Sequence, residues 1–274
     1  MSAADRPDVV TLWRPTGPDE WDLVAASGHR AWPSRLAEQP AFLAVSDERH
    51  ATTIAREVVV AHDGAGYLTR FDVEAQWLSV LPARGHDVLE YEIPAGQLPE
   101  LNEHLVGAIQ EMARYVGPAA PEAVVAFETW AAARGGSVPA DWLTYLQGPS
   151  RLAAGWLASG IYVTLLGAEL SMELTDLWTE GRDSHPGVVL IGSDGAAEHL
   201  VLDLRDAEPA VYLLPNASSG WADRIQQTPS VAELVAQVEA GTFEISFGGS
   251  PVDETASVTE LGALGRLRET SSDE

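Results

Sequence analysis

The sequence predicts an α+β fold in two domains, each a small mixed sheet with flanking helices. Short runs of Val, Leu, Ile and aromatic residues, typical of strands, recur along the 274 residues. Amphipathic segments with helical spacing lie between them, without the regular alternation of a parallel βαβ sheet. Residues 117–126, GPAAPEAVVA, contain two Pro, one Gly and four Ala and are therefore the predicted domain boundary.

The first predicted domain covers residues 9–116 and mixes strands with helices. Its predicted strands are VVTLWRP (9–15), AFLAV (41–45), GYLTRFDVEA (66–75) and DVLEYEIP (87–94). Helices are predicted in PDEWDLVAASG, which ends at Gly28, and in SDERHATTIAREVVVA, where Ser46 or Asp47 is the N-cap. LPELNEHLVGAIQEMARYV is predicted to be partly helical.

The second predicted domain covers residues 125–247. FETWAAARGGSVPADWLTYLQ predicts two helices separated by Gly135 and Gly136, and TPSVAELVAQVEAG predicts a closing helix that begins at Thr228 or Ser230 and ends at Gly241. The predicted strands are WLASGIYVTLLG, GVVLIG, EHLVLDLR and AVYLLP. Residues 248–274 are polar and predicted to be a mobile tail.

The charge is strongly acidic: 41 Asp and Glu face 16 basic residues, all of them Arg, for a net charge of −25. Such a field disfavours nucleic acid and anionic membranes as partners and attracts a basic protein. The same composition is typical of high-GC bacterial and salt-adapted proteomes, so both interpretations stay open.

Several classes of site and location are disfavoured by composition. The chain has no Cys, which removes disulfides, thiol nucleophiles and Cys-ligated zinc, and its seven His do not cluster at metal-ligand spacing. The spacing of Ser, His and Asp assembles no catalytic triad, and the nine Trp read as core residues. Residues 1–10 lack a signal-peptide pattern and no long apolar stretch occurs, so we expect a cytoplasmic protein without a membrane partner.

The second half carries a pattern of motifs with a known parallel. Its anchors are VPADWLTYL, HPGVVLIGSDGAAEHLVLDLR and SVAELVAQVEAG, and the matching positions are Pro139, Asp141, Trp142, Gly192, Ser193, Asp194, Gly195, Glu198 and Asp203. Residues 125–243 thereby resemble the SUKH superfamily, which includes bacterial toxin-immunity proteins and fungal cell-wall regulatory scaffolds. Ala196 and Ala197 stand where that family has glycine, and Val231 stands where it has an aromatic residue.

The resemblance implies a protein-binding module in which the GSDG hairpin tip helps shape a sheet on which partners dock. Asp194, Glu198, Asp203 and Asp141 are the predicted partner-binding residues. The alternative is that Asp194 caps its own turn and Glu198 is merely solvated.

The first half, about residues 10–116, is similar to a small bacterial family with an ADP-ribosylation/crystallin-type name. The matching segments are LWRPTG (12–17), AASGHRAWPSRL with EQPAFLAV (25–45), ATTIARE (51–57), GYLTRFDV (66–73) and LEYEIPAGQLPELNEHLVG (89–107). The name implies no secure activity.

ADP-ribosyltransferases of the Arg-Ser-Glu type nevertheless suggest an enzyme alternative, with Arg14, Ser46, Glu90 and Glu92 as catalytic residues and NAD as cofactor. Glu90 and Glu92 would lie on one side of a strand, roughly 7 Å apart, where mutual repulsion could leave one acid and one anion. An exposed strand face with two solvated Glu explains the same residues, with Arg14 paired to Glu20 or another acid.

Three functions therefore follow. The first is a non-enzymatic protein-binding protein without a cofactor, of the toxin-immunity type, which occludes a basic partner while the first domain assists recognition. The second is an NAD-dependent ADP-ribosyltransferase-like enzyme directed by the SUKH-like domain. The third is a scaffold without a toxin partner.

Overall fold

The computed structural model describes residues 8–34 and 41–248, and the backbone of residues 260–262 and 266–268. The chain divides into two compact units, with the main boundary between Tyr115 and Val116. Helices and strands occur in both units, which confirms the α+β class. The strand pairs with a defined register are all antiparallel, so the prediction of mixed sheets is wrong for these pairs.

The first unit contains a sheet with helices on both faces. Its strands are β1 (Val9–Thr16), β2 (Ala41–Val45), β3 (Ala65–Glu74), β4 (Ala83–Arg84), β5 (Glu90–Pro94) and β6 (Leu105–Val116), in the spatial order β6-β3-β1-β2-β5-β4. Its α-helices are α1 (Pro18–Ala26), α2 (Glu48–Ile54), α3 (Val60–Asp63), α4 (Ala75–Leu78) and α5 (Leu98–Glu103).

One face of this sheet carries the main core of the first unit. Trp21 and Val24 of α1 and Leu98 of α5 pack there with strand residues that include Phe42 and Phe71. Burial of these large aromatic and aliphatic side chains supplies the driving force that places α1 and α5.

On the other face lies a long helical segment, in which the π-helical turn Ala55–Val59 joins α2 to α3. Asp47, not Ser46, is its N-cap, because the Asp47 carboxylate accepts a hydrogen bond from the His50 N–H at 2.7 Å. The helix approaches β3 so closely that a Cβ on Gly66 would stand 2.3 Å from the Ala55 carbonyl oxygen. Only glycine fits this contact.

Residues 98–116 are partly helical, as predicted, but most of the segment is a strand that was not predicted. The helix α5 ends at Glu103 and β6 follows as a strand of 12 residues. Ile109, Ala113 and Tyr115 are buried at even spacing, as a strand requires, but the first two are also four residues apart, as on a helix. Periodicity in this segment was therefore ambiguous.

The second unit contains a six-stranded antiparallel sheet with the spatial order β12-β11-β10-β9-β8-β7. Its strands are β7 (Arg151–Trp156), β8 (Tyr162–Leu165), β9 (Val188–Ser193), β10 (Glu198–Asp203), β11 (Val211–Pro215) and β12 (Ile225–Thr228). Its helices are α6 (Pro121–Ala132), α7 (Ala140–Leu146), α8 (Ala168–Leu177), α9 (Thr179–Ser184) and α10 (Val231–Ala240).

Several predicted features of this unit are confirmed. The helices α6 and α7 flank Gly135 and Gly136, and the Ser230 hydroxyl caps α10 by accepting from the Glu233 N–H at 3.2 Å. Gly241 ends α10 in the left-handed conformation, with φ +67°. The helix α6, however, begins inside the segment 117–126 that was predicted as a boundary.

The helix α8 was not predicted, and its amphipathicity explains why. The residues that face inward, Ala168, Ser171 and Thr175, are small or polar, whereas three leucines face outward. The usual signal of a helix, a stripe of large apolar residues on its buried face, is therefore absent from this segment.

Part of the predicted tail is also described. Glu260–Gly262 (β13) and Arg266–Arg268 (β14) form a separate two-stranded sheet. Apart from these strands and Gly248, the predicted mobile segment 248–274 lies outside the described residues.

Candidate protein-binding surface

The hairpin tip between β9 and β10 is held by its own aspartate. The Asp194 Oδ1 atom accepts hydrogen bonds from the Ala196 N–H at 2.9 Å and the Glu198 N–H at 3.0 Å. Gly195 has φ +76°, a conformation that glycine adopts without strain. The Asp194 side chain therefore caps its own turn, as the alternative interpretation of the sequence held.

Glu198 is less solvated than that alternative expected. Its side chain is partly buried, and its Oε2 atom is buried without a hydrogen-bond partner among the described residues. Burial raises the pKa of Glu198, and the nearby charge of Asp194 raises it further. This carboxyl group therefore holds its proton more readily than an exposed glutamate does.

The other two predicted partner-binding residues lie away from the tip. Asp203 ends β10, about 17 Å along the strand from Glu198, and is buried. It accepts hydrogen bonds from the backbone N–H and from Nε and Nη2 of Arg205. Asp141 is exposed in the first turn of α7. The four predicted acids therefore do not form one patch.

The centre of the sheet is not an open docking face. Val189 and Ile191 of β9 belong to a core on one face, whereas Val188 and Leu190 pack with Val201 on the other face. Trp178, Tyr212 and Trp221 pack on this second face. The helix α8 lies beside β9, where the Thr175 hydroxyl accepts a hydrogen bond from the Leu190 N–H at 3.0 Å. The side chains from Val188 to Ile191 and that of Val201 are therefore buried and offer a partner no exposed surface, and docking elsewhere on the sheet stays a prediction.

A cluster that the sequence analysis missed stands beside the hairpin. His185 is fully buried, with Nδ1 at 2.6 Å from the Gly181 carbonyl oxygen and Nε2 at 2.9 Å from the Ser218 hydroxyl. The Trp178 ring stacks on His185 at 5.5 Å. The signal for this cluster was weak because Trp and His at scattered positions also describe an ordinary core.

This cluster brings Ser, His and Asp together, but in an order that does not suit nucleophilic catalysis. The Asp223 carboxylate lies 2.9 Å from the Ser218 hydroxyl, not on the histidine, whose Nδ1 instead faces a carbonyl oxygen. A catalytic triad requires the carboxylate to orient the histidine. The Ser219 N–H also donates to Asp223 at 3.0 Å, so the network fastens the loop between β11 and β12.

Arg14, the first residue of the enzyme alternative, is engaged inside the first unit. Its guanidinium pairs with Glu20 at 2.8 Å and donates to the Leu43 carbonyl oxygen at 2.5 Å. It also lies 4.2 Å from the centre of the Phe42 ring. The expected pairing of Arg14 with Glu20 is therefore confirmed.

The remaining residues of that alternative have local partners as well. The Ser46 hydroxyl accepts a hydrogen bond from the Leu89 N–H at 2.9 Å. Glu90 and Glu92 are both exposed on β5, and Glu92 forms an ion pair with Arg84 at 2.9 Å.

The sheet separates Arg14 from the two glutamates. Trp13 pairs with Val45, and Val45 pairs with Glu90, so these three residues share one face. Arg14, the next residue after Trp13, points to the opposite face. A cavity of about 280 Å³ beside Glu92 is lined by Ala41, Pro82, Arg84, Glu92 and Pro94. The proposed NAD residues are thus not gathered in one site.

The surface of α8 is the second feature that the sequence analysis missed. Leu170, Leu174 and Leu177 are 50%, 36% and 68% exposed. Their spacing of four and three residues puts them in one line along the helix, here called the leucine strip. Glu169 and Glu173 are exposed beside it.

Comparison with known proteins adds no assignment. The chain matches no protein-family model, and no curated protein matches it significantly. In the described part of the chain, no three His, Asp or Glu side chains gather as a metal site would require. Within the same residues, none of the helices has both the length and the apolar character needed to span a bilayer.

Proposed function

We propose that the chain is a non-enzymatic protein-binding protein that holds a basic amphipathic segment of another protein against the leucine strip of α8. The exposure of Leu170, Leu174 and Leu177 in one line is the observation that carries this proposal. Single exposed leucines are common on protein surfaces, but a continuous apolar strip favours an interaction site.

The charge around the strip favours a basic occupant. Residues 116–248 contain 17 acidic residues and five arginines. Three of those arginines, Arg134, Arg182 and Arg205, form ion pairs with aspartates of the same unit. The negative charge of Glu169 and Glu173 therefore remains available to a partner's Lys or Arg side chains.

Other occupants of the strip are less favourable on the same grounds. A second copy of the chain would bring another net charge of −25 and the same glutamates. Residues 249–259 and 269–274 contain acidic residues and no basic ones, so they too would be repelled.

The mechanism is occlusion without chemistry. Opposite charges accelerate the encounter, and burial of the leucines slows dissociation. A bacterial toxin domain with a basic active site is the partner class we propose, with the first unit assisting recognition. The resemblance of residues 125–243 to the SUKH superfamily points in the same direction.

A designed peptide tests the docking chemistry. The probe is a helix of about 18 residues with Leu on one face and Lys on the other, and its control has the same composition in scrambled order. Fluorescence anisotropy should show binding about tenfold tighter for the helix than for the scrambled peptide. Replacing Leu170, Leu174 and Leu177 by Ser should remove this difference, whereas Leu23→Ser, at an exposed position of α1, should not.

Equal binding of both peptides to the unaltered protein would contradict the leucine strip as the docking site. Binding that does not weaken between about 50 and 500 mM NaCl would contradict the electrostatic part of the proposal.

Co-expression tests the immunity role itself. The unaltered protein should restore growth of cells that express a basic toxin domain encoded beside its gene, and the triple leucine variant should not. The lack of any toxin gene nearby, or protection by the triple variant equal to that of the unaltered protein, would contradict this role.

A further inference from the structure

Arg151 is a buried cation that forms no ion pair with the described residues. It opens β7, it is only 7% exposed, and its Nε and Nη1 atoms are buried without a hydrogen-bond acceptor among the described residues. Buried charges in proteins are normally paired, since removing an ion from water costs several kcal/mol. Burial lowers the pKa of Arg151, partly opposed by Tyr145.

The guanidinium lies at the start of α8. The N-cap residue, Gly167, has no side chain to cap the helix, and a Cβ at this position would stand 3.1 Å from the Nη2 atom of Arg151. The guanidinium therefore lies close to the N-cap residue of α8, and a side chain at position 167 would crowd it.

The first turn of α8 also lacks acceptors. In the described part of the chain, no acceptor is hydrogen-bonded to the backbone N–H groups of Ala168, Glu169 and Leu170. These groups carry the positive end of the dipole of a ten-residue helix. Two positive features, the buried guanidinium and the helix N-terminus, therefore stand side by side.

Within residues 8–34 and 41–248, no acidic side chain forms an ion pair with Arg151. Glu169 is the acidic residue of this turn, but it is exposed and forms no ion pair or hydrogen bond with Arg151 in the described structure. A water molecule could accept hydrogen bonds here, but it would leave the buried positive charge unbalanced.

We propose that the Arg151 guanidinium and the first turn of α8 bind a small tetrahedral oxyanion of the phosphate class. Four oxygens can serve the guanidinium and the three backbone N–H groups together, whereas a carboxylate has only two oxygens. The net charge of −25 repels large polyanions such as nucleic acid, which favours a small ligand and an affinity on the order of 1 mM.

A titration with inorganic phosphate, followed by ¹H–¹⁵N NMR of the full chain in chloride buffer at constant ionic strength, tests the site. The amide signals of Ala168, Glu169 and Leu170 should shift and saturate. Sulfate should act similarly and acetate at least about tenfold more weakly. Phenyl phosphate distinguishes a free phosphate ion from a phosphoryl group carried by a larger molecule, because it binds only if an esterified phosphoryl group also fits the site.

Two variants make the result decisive. Arg151→Met should weaken phosphate binding by about tenfold or more, whereas Arg134→Met, at a cation paired with Asp176, should leave it unchanged. Gly167→Ala should also weaken binding, because its methyl group enters the space beside Nη2. Should Arg151→Met fail to fold, the titrations of the unaltered chain and of Gly167→Ala still decide.

Unshifted amides in the first turn of α8, or equal phosphate affinity of the unaltered chain, Arg151→Met and Gly167→Ala, would overturn the proposal. Acetate binding as tight as phosphate binding would overturn the tetrahedral class. The same titration can be monitored by melting temperature as a second readout. Phosphate stabilises folded proteins in general, so the contribution of the site is the rise in melting temperature of the unaltered chain minus that of Arg151→Met.

Discussion

Two arginines of this protein are almost equally buried, yet among the described residues only Arg14 has an ion-pair partner. Arg14 in the first unit is 6% exposed and pairs with Glu20, whereas Arg151 in the second unit is 7% exposed and has buried nitrogens without acceptors. The Arg14 charge is balanced by the protein itself. Burial of an arginine therefore indicates a structural role in one unit and supports the proposed anion site in the other.

Two acids of the second unit repeat this contrast. Asp203 is buried and balanced by three hydrogen bonds from Arg205, whereas Glu198 has a buried carboxylate oxygen without a donor among the described residues. Paired charges should cost stability when they are removed, and unpaired ones should not.

Removal of the Arg14 partner should give the largest effect. Glu20→Ala leaves the buried guanidinium without its carboxylate and should lower the free energy of unfolding by about 3 kcal/mol. Asp183→Ala, at an exposed partner of Arg182, should change it by less than about 0.5 kcal/mol. Urea denaturation measures both. A loss below about 1 kcal/mol for Glu20→Ala would break the comparison.

Removal of the second buried arginine should act in the opposite direction. In phosphate-free buffer, Arg151→Met replaces a desolvated charge by an apolar side chain and should raise the free energy of unfolding by about 1 kcal/mol or more. Arg14→Met, by contrast, should lower it by about 2 kcal/mol, because Glu20 then loses its cation. If Arg151→Met proves as destabilising as Arg14→Met, the two arginines do not differ as we infer.

Asp203→Ala tests the paired acid. Loss of its charged hydrogen bonds to Arg205 should lower the free energy of unfolding by about 1.5 kcal/mol. Asp206→Ala, at an exposed neighbour, is the matched control and should have little effect. Equal urea midpoints for the two variants would show that the Asp203 pair contributes nothing to stability.

The unpaired acid should give the smallest effect, visible in its pH dependence. Since the folded-state pKa of Glu198 is raised, the folded protein binds the proton more tightly than the unfolded chain, and stability falls as pH rises from the unfolded value of about 4.3 through the folded value. Glu198→Gln should therefore be more stable than the unaltered chain at pH 7, by less than about 1 kcal/mol.

That advantage of Glu198→Gln should vanish below pH 4, and thermal unfolding across pH 3–8 measures it. Glu208→Gln, at an exposed position, should show no such trend. An advantage of Glu198→Gln that does not change with pH would contradict the raised pKa as its cause.

Much of the fold could be predicted from the sequence where local chemistry and burial agree. The helix α10 has a Ser230 cap, an inward-facing Leu234 and a Gly241 end, and all three were visible in the sequence. The strand β6 and the helix α8 were missed because their patterns were ambiguous or reversed, with α8 burying Ser171 and Thr175 while exposing leucines. Tertiary packing decided these elements.

The sites were harder to predict than the fold. Asp194 could be recognised as a turn cap because its partners, Ala196 and Glu198, are close in sequence. The separation of Arg14 from Glu90 depends on strand register, and the isolation of Arg151 depends on what surrounds it in three dimensions. Neither the strand register nor the surroundings of Arg151 can be deduced from the order of residues in the sequence.

The burial of β9 and β10 on both faces has a consequence for sequence variation. Successive side chains from Val188 to Ile191 and from Leu200 to Leu202 pack into the cores on alternate faces of the sheet. A polar residue at any position of either run should therefore cause a large loss of stability. A saturation mutagenesis screen should therefore find two unbroken intolerant runs here, flanked by a permissive Ala196–Ala197 pair at the hairpin tip.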